Sequence, residues 1–214
     1  IGADEALSFG IMLAAASVLT MALATNVVAA LILAGSIAFY VVIYTMWLKR
    51  RTVQNIVIGG AAGAFPPVIG WAAVTGDVGV LPILMFLIVF VWTPPHFWSL
   101  SLYACGDYER AGVPMLPVVR GALSTRRHVM AYTIGLVAVS LLPWLMGLSG
   151  LTYGLSAVVL GAGFLVCAWR VLADGAGVGG LSLTKDAPAR AAFRYSLAYL
   201  AVLFSALAID RCVG

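Results

Sequence analysis

The sequence predicts an all-α fold, a polytopic bundle of transmembrane helices, on three observations. Of 214 residues, 63% are hydrophobic and only 9% are charged, where a soluble domain carries about a quarter charged. The apolar residues gather in seven runs, each near the ~20 residues that span a bilayer. The charges gather between the runs, and almost all on one side.

The runs fall at Ala6–Thr25, Val27–Leu48, Val53–Thr75, Leu81–Tyr103, His128–Leu148, Leu151–Ala173 and Ala191–Ile209. Little beyond Asn26 separates the first two, so they predict a tight hairpin, with Ser8 or Asp4 to cap the first. The third contains Gly59-Gly60-Ala61-Ala62-Gly63-Ala64. Its Gly59/Gly63 and Gly60/Ala64 pairs read as small-xxx-small contacts that let helices approach closely. Pro66-Pro67 and Pro94-Pro95 remove backbone donors and should kink or break two neighbouring spans. Such breaks are tolerated in hydrocarbon where they line a cavity, so the two pairs read as walls of one pocket, with simple kinks as the alternative. Gly175 to Lys185 reads as a flexible loop.

Eleven of the twelve basic residues fall on one side of the predicted membrane, leaving only Arg211 opposite. The positive-inside rule then places the Lys49, Asp107 and Lys185 loops in the cytoplasm. The expected location is a bacterial inner membrane, with the mitochondrial inner membrane as the alternative. The net charge of +4 is a topology signal and predicts no nucleic-acid partner. Cys105, Cys167 and Cys212 show no metal-binding spacing and no disulfide framework. The start, Ile1-Gly2-Ala3-Asp4-Glu5, has neither an initiator Met nor a basic leader, and an N-terminally truncated chain is expected.

Chemistry concentrates on the basic side. Lys49-Arg50-Arg51, followed by Asn55, suits a polyanion such as a diphosphate and equally suits a topology signal. Asp107-Tyr108 suits Mg²⁺ holding phosphate oxygens, or is a solvated loop acid. Arg126 and Arg127 read either as a phosphate grip or as topology charges. His96 lies deep in the fourth span, where an ionisable group is a functional candidate by default; a histidine bonded to a neighbouring helix is the plainer reading. If the fourth helix runs on through Cys105, then Trp92, His96, Ser99, Tyr103 and Asp107 share one face.

Two segments carry a resemblance. Tyr44–Trp71 (YTMWLKRRTVQNIVIGGAAGAFPPVIGW) and Val91–Val119 (VWTPPHFWSLSLYACGDYERAGVPMLPVV) are similar to signature segments of the heme O synthases, protoheme IX farnesyltransferases of the UbiA-type intramembrane prenyltransferase family. The likeness extends over nearly the whole chain. It implies a nine-helix bundle of which residues 1–214 supply the last seven spans as one prenyltransferase domain. The first two spans and the first Asp motif are expected to precede Ile1, and residues 1–214 alone are expected to be inactive. The resemblance further implies Mg²⁺ as cofactor, farnesyl diphosphate and heme b as substrates, and the lipid bilayer with heme-delivery or oxidase-assembly proteins as partners. The product would be heme O.

Carried onto this sequence, the resemblance makes Asp107 the Mg²⁺ ligand and Lys49, Arg50 and Arg51 diphosphate contacts. Asn55 and Tyr108 would support them, and His96 would touch heme or handle a proton. The family shows two adjacent acids before this tyrosine; here the first is Gly106. A small transporter and a prenyltransferase acting on a quinone-type acceptor are the alternatives to the heme reading.

Overall fold

The computed structural model describes residues 2–49, 51–174, 177–178 and 182–213. Among them, seven helical stretches are long and apolar enough to cross a membrane. Helices α1 (Ala3–Ala24) and α2 (Val27–Ala38) form the predicted hairpin. The expected caps give way to Glu5, whose carboxylate accepts the Gly2 N–H at 3.1 Å. Asn26 closes the turn: its Oδ1 accepts the Ala29 N–H at 2.9 Å, and its Nδ2 donates to the Ala72 carbonyl at 2.7 Å. The second span continues from α2 as a π-helical stretch, Phe39–Leu48. Its wide turns end with the Lys49 N–H donating to the Tyr44 carbonyl, five residues back, a form that often marks functional positions.

The third span is broken, as its proline pair requires. Helix α3 (Asn55–Ala64) stops at Phe65 and α4 (Pro66–Thr75) starts afresh, with Phe65 accepting from Val68 and Ile69. Pro66 and Pro67 have no N–H to offer the carbonyls of Ala62 and Gly63. Helix α5 (Val80–Tyr103) carries Pro94 and Pro95 inside it. It ends where Ala104 leaves helical geometry (φ −105, ψ 19), and short α6 (Cys105–Arg110) follows. The polar stripe from Trp92 to Asp107 therefore does not form, because its last member stands on a separate helix.

Helix α7 (Leu116–Leu145) begins twelve residues before the expected His128. Pro117 suits a first helical turn. Gly121 (φ 78, ψ 167) then kinks the chain in a conformation that favours glycine. Helices α8 (Leu151–Ala173) and α9 (Ala187–Val213) complete the bundle.

Helices α5, α7, α8 and α9 enclose the core, built on Leu136, Tyr153, Phe164, Tyr199 and Leu203. Its polar atoms are paired, as hydrocarbon requires: Tyr153 donates to the Ser140 carbonyl at 2.8 Å and Tyr199 to the Ser140 hydroxyl at 2.7 Å. Because the spans alternate in direction, the Lys49, Asp107 and Lys185 loops meet at one end. There Val53, Tyr103, Leu116, Val171 and Ala189 pack in a second cluster.

The glycines of α3 do different work. A methyl group on Gly60 would stand 2.9 Å from Thr93 Cβ, and one on Gly59 would enter the Tyr44 ring, whereas one on Gly63 would meet no atom within 4 Å. Gly60 thus serves α3–α5 packing, as its spacing suggests, and Gly63 does not. Gly60→Ala is expected to destabilise the folded protein by about 1–3 kcal/mol through overpacking, and Gly63→Ala to stay within about 0.5 kcal/mol of wild type. Thermal unfolding in detergent measures both.

Candidate active site

The basic end presents two walls of unlike charge. On one, the turn after α2 carries Lys49 and Arg51, both exposed; Arg50 lies outside the described residues. Asn55, almost wholly buried, props this turn by donating from Nδ2 to the Lys49 carbonyl at 3.2 Å, and its Oδ1 is buried without a partner. Thr52 Oγ1 accepts the Gln54 N–H at 3.1 Å and tightens the same turn. The position of two cations over a propped backbone suits an anion larger than a single carboxylate.

On the other wall, α6 carries Asp107, exposed and paired with Arg110. Tyr108 is half-buried; burial first, then Tyr103 and Asp107 nearby, push its phenol above the ordinary value. Among the described residues no group of three His, Cys, Asp or Glu side chains can hold a metal ion. Asp107 offers one exposed carboxylate, which fits Mg²⁺ only as an ion shared with substrate phosphates and water.

His96 has the plainer of its expected surroundings, a bond to a neighbouring helix. It is buried against α9, its ring stacked between Trp92 at 4.3 Å and Phe193 at 4.6 Å. Its Nδ1 lies 2.6 Å from Ser196 Oγ, and that hydroxyl in turn donates to the Phe193 carbonyl at 2.6 Å. A serine has one proton. With it directed to Phe193, His96 Nδ1 is the donor, and its Nε2 carries a lone pair. This tautomer is assigned from the network. It leaves a neutral imidazole able to accept a proton or meet a metal centre.

Two apolar cavities run down the bundle from the basic end. The upper, about 300 Å³, lies among Tyr40, Tyr44, Ile56, Gly60, Thr93 and Phe97. The lower, about 440 Å³, lies among Pro66, Pro67, Leu197, Leu200 and Phe204. Both touch Gly63, Val89 and Trp92, so they form one groove. Pro66-Pro67 does line a pocket, but Pro94 and Pro95 are buried in packing and do not; only half of the expected proline wall exists. A larger cavity, about 490 Å³, lies at the opposite end between Gly147 and Arg211. Its charges are engaged, Asp210 with the Gly150 N–H and Arg211 with the Leu148 carbonyl at 2.9 Å, and it is far from every basic loop.

Arg126 leaves the set of substrate contacts. It is buried and forks onto its own protein: Nη1 donates to the Val171 carbonyl at 2.8 Å and lies 3.5 Å from Asp174, and Nη2 lies 2.5 Å from Asp186. Asp174 also accepts Ser182 Oγ at 2.5 Å and Thr184 Oγ1 at 2.9 Å. Burial acts to raise the Asp174 carboxyl, but these donors, the Arg126 charge and the Leu183 N–H together outweigh it and hold the group below its ordinary value. The knot fixes the end of α8 to the start of α9. Arg127, one residue on, is exposed and keeps its place among the cations of this end.

Sequence reading missed the contribution of α9. Arg190 stands 4.4 Å over the Tyr103 ring, and Phe193 and Ser196 hold His96. The signal was present: residues 190, 193 and 196 follow steps of three, which makes successive members neighbours on the helix surface.

The chain matches the UbiA prenyltransferase family over residues 1–197. It is 71% identical over 209 residues to the protoheme IX farnesyltransferase of Granulibacter bethesdensis, covering 98% of this chain and 66% of that protein. It is 62% identical over 213 residues to the protein of that name in Acidiphilium cryptum, covering 100% and 67%. For the one in Gluconacetobacter diazotrophicus the identity is 65% over 208 residues, covering 97% and 66%. The chain thus spans about two thirds of the length of these curated relatives. No solved structure matches.

The buried knot generates a prediction. Arg126→Leu removes the cation shared by Asp174 and Asp186 and is expected to destabilise the protein by about 3–5 kcal/mol, read by thermal unfolding. Asp174 is depressed when folded, so its contribution is present above the ordinary value of 3.8 and lost as pH falls below it. Unfolding temperature should therefore drop on acidification through that range, and Asp174→Asn should flatten the drop.

Proposed function

The chain belongs to the UbiA prenyltransferase family, and on that footing we propose that it transfers the farnesyl group of farnesyl diphosphate to a vinyl group of protoheme IX, giving heme O. The observation that carries the reading is the junction of a cationic turn with the mouth of an apolar groove. A prenyl diphosphate is an anion on a hydrocarbon tail, and the two environments meet where such a molecule changes character. The names of the relatives supply the acceptor.

Lys49 and Arg51 hold the diphosphate, with Arg50 and Arg127 as further cations of the same end. Charge-assisted bonds to oxygens that gain charge as the C–O bond breaks stabilise departure more than binding. Asn55 keeps the turn in place, and Tyr108 closes the rim beside Asp107. Members of the family use Mg²⁺ with diphosphate substrates. Asp107 is the residue of this chain that would face the ion, whose charge would add to that of the basic turn.

The tail lies along Gly63 and Trp92, out of water, where an allylic carbon that has lost diphosphate is protected from hydrolysis. The vinyl electron pair attacks that carbon. Water adds to the cation so formed at the porphyrin edge, and one proton must leave. His96, stacked on Trp92, is the residue we assign to heme contact or to the handling of that proton. The chain is a multi-pass membrane protein; the bacterial inner membrane with the basic loops inside is the placement that the charge asymmetry supports.

Heme extraction and mass analysis from cells producing the complete gene product tests the reading. Farnesylated heme is the expected product; unmodified heme together with a prenylated quinone would replace heme by a ring acceptor. Asp107→Asn should lower turnover strongly while membrane insertion is unchanged. The Lys49→Ala, Arg51→Ala double variant should raise KM for farnesyl diphosphate by about tenfold or more, since each charged hydrogen bond is worth about 1.5–3 kcal/mol. Unchanged kinetics in both would remove the basic end from the reaction.

A further inference from the structure

The two cavities of the groove adjoin at shared residues, and we infer that position 63 sets the length of prenyl chain the protein accepts. The inference rests on the reading of the groove as a prenyl site. Gly63, Val89 and Trp92 are common to the cavity near the basic end and the one below it. Any chain passing from one to the other passes between them.

One of the shared lining residues is fixed. The Trp92 indole N–H donates to the Ser196 carbonyl at 2.8 Å, and its ring lies on His96 at 4.3 Å. Another, Gly63, has no side chain. Gly59 and Gly60 are filled in by Tyr44 and Thr93, but nothing stands within 4 Å of where a Gly63 side chain would begin. Helix packing thus accounts for two of the three glycines and leaves the third without a packing reason.

Gly63 is exposed, and the opening beside it belongs to both cavities. Gly63 lies in the last turn of α3, just before the break at Phe65, and Pro66-Pro67 carries the groove onward into the lower cavity. The lower cavity ends among Leu200, Ala201 and Phe204, all apolar, as a terminal isoprene unit requires. With glycine at 63, the tail extends from one cavity into the other. With a large side chain, only what fits in the upper 300 Å³ is held.

The test compares geranyl, farnesyl and geranylgeranyl diphosphates, with inorganic pyrophosphate as a tail-free probe, for equilibrium binding to the purified protein in detergent with Mg²⁺. Gly63→Phe is expected to weaken farnesyl and geranylgeranyl diphosphate by about tenfold or more, and geranyl diphosphate by no more than about twofold. Pyrophosphate binding should not change, which also reports a folded rim. Gly63→Val should act in the same order and more weakly, and serves if the phenylalanine variant does not fold. Gly70→Phe, on α4 at a site equally open and outside both cavities, should leave all three chain lengths as in wild type. Equal weakening of all lengths, or none, by the position-63 variants overturns the inference and leaves the prenyl reading intact. Binding of pyrophosphate without any dependence on a tail in wild type overturns the groove assignment itself.

Discussion

Hydrocarbon does not hold an ionised group without a partner, and this constraint orders the molecule. Among the described residues, every cation but Arg211 is gathered at one end of the bundle. Among the described residues, the cation drawn furthest inside is Arg126, and it is held by two carboxylates and a backbone carbonyl. Lys49, Arg51 and Arg127 stay exposed at the rim. That end therefore suits a polyanion, with the apolar part of the ligand pointing away from it.

The same constraint explains the broken helices. Pro66 and Pro67 leave the Ala62 and Gly63 carbonyls without their helical donors. Against lipid this would be costly; beside a groove it is tolerated. The groove is thus more than a gap in packing. It is where the backbone can afford to be irregular, and Gly63 sits at the point where irregularity, open space and the fixed Trp92 ring coincide. His96 lies behind Trp92, stacked on its ring and tied to α9 by Ser196.

Much of this was legible in the sequence, because bilayers write strong signals. Apolar runs near twenty residues long and one-sided charge gave the spans, the shared end of three loops and the break at Pro66. Reading stopped where three-dimensional neighbours decide. Arg126 and Arg127 look alike in sequence, yet a helical turn places one against Asp174 and Asp186 and the other in the open. Pro94-Pro95 looks like Pro66-Pro67, yet neighbouring helices bury it. The start of α7 was hidden because its first twelve residues carry charges and lie outside the apolar run, although Pro117 suits a first turn and Gly121 a kink. The glycines of α3 share one spacing rule, and only the Tyr44 and Thr93 contacts separate packing glycines from the open one. The face of α9 was passed over because its aromatic and hydroxyl residues are ordinary in a span; only the stacking of Phe193 on His96 gives them a role.

The most direct test of the account is an experimental structure of the protein with a non-hydrolysable farnesyl diphosphate analogue. The account predicts the diphosphate between the Lys49–Arg51 turn and Asp107, with the tail passing between Gly63 and Trp92 toward Phe204. A diphosphate bound at the Asp210 and Arg211 end, or a tail lying on the lipid-facing surface outside the groove, would contradict it.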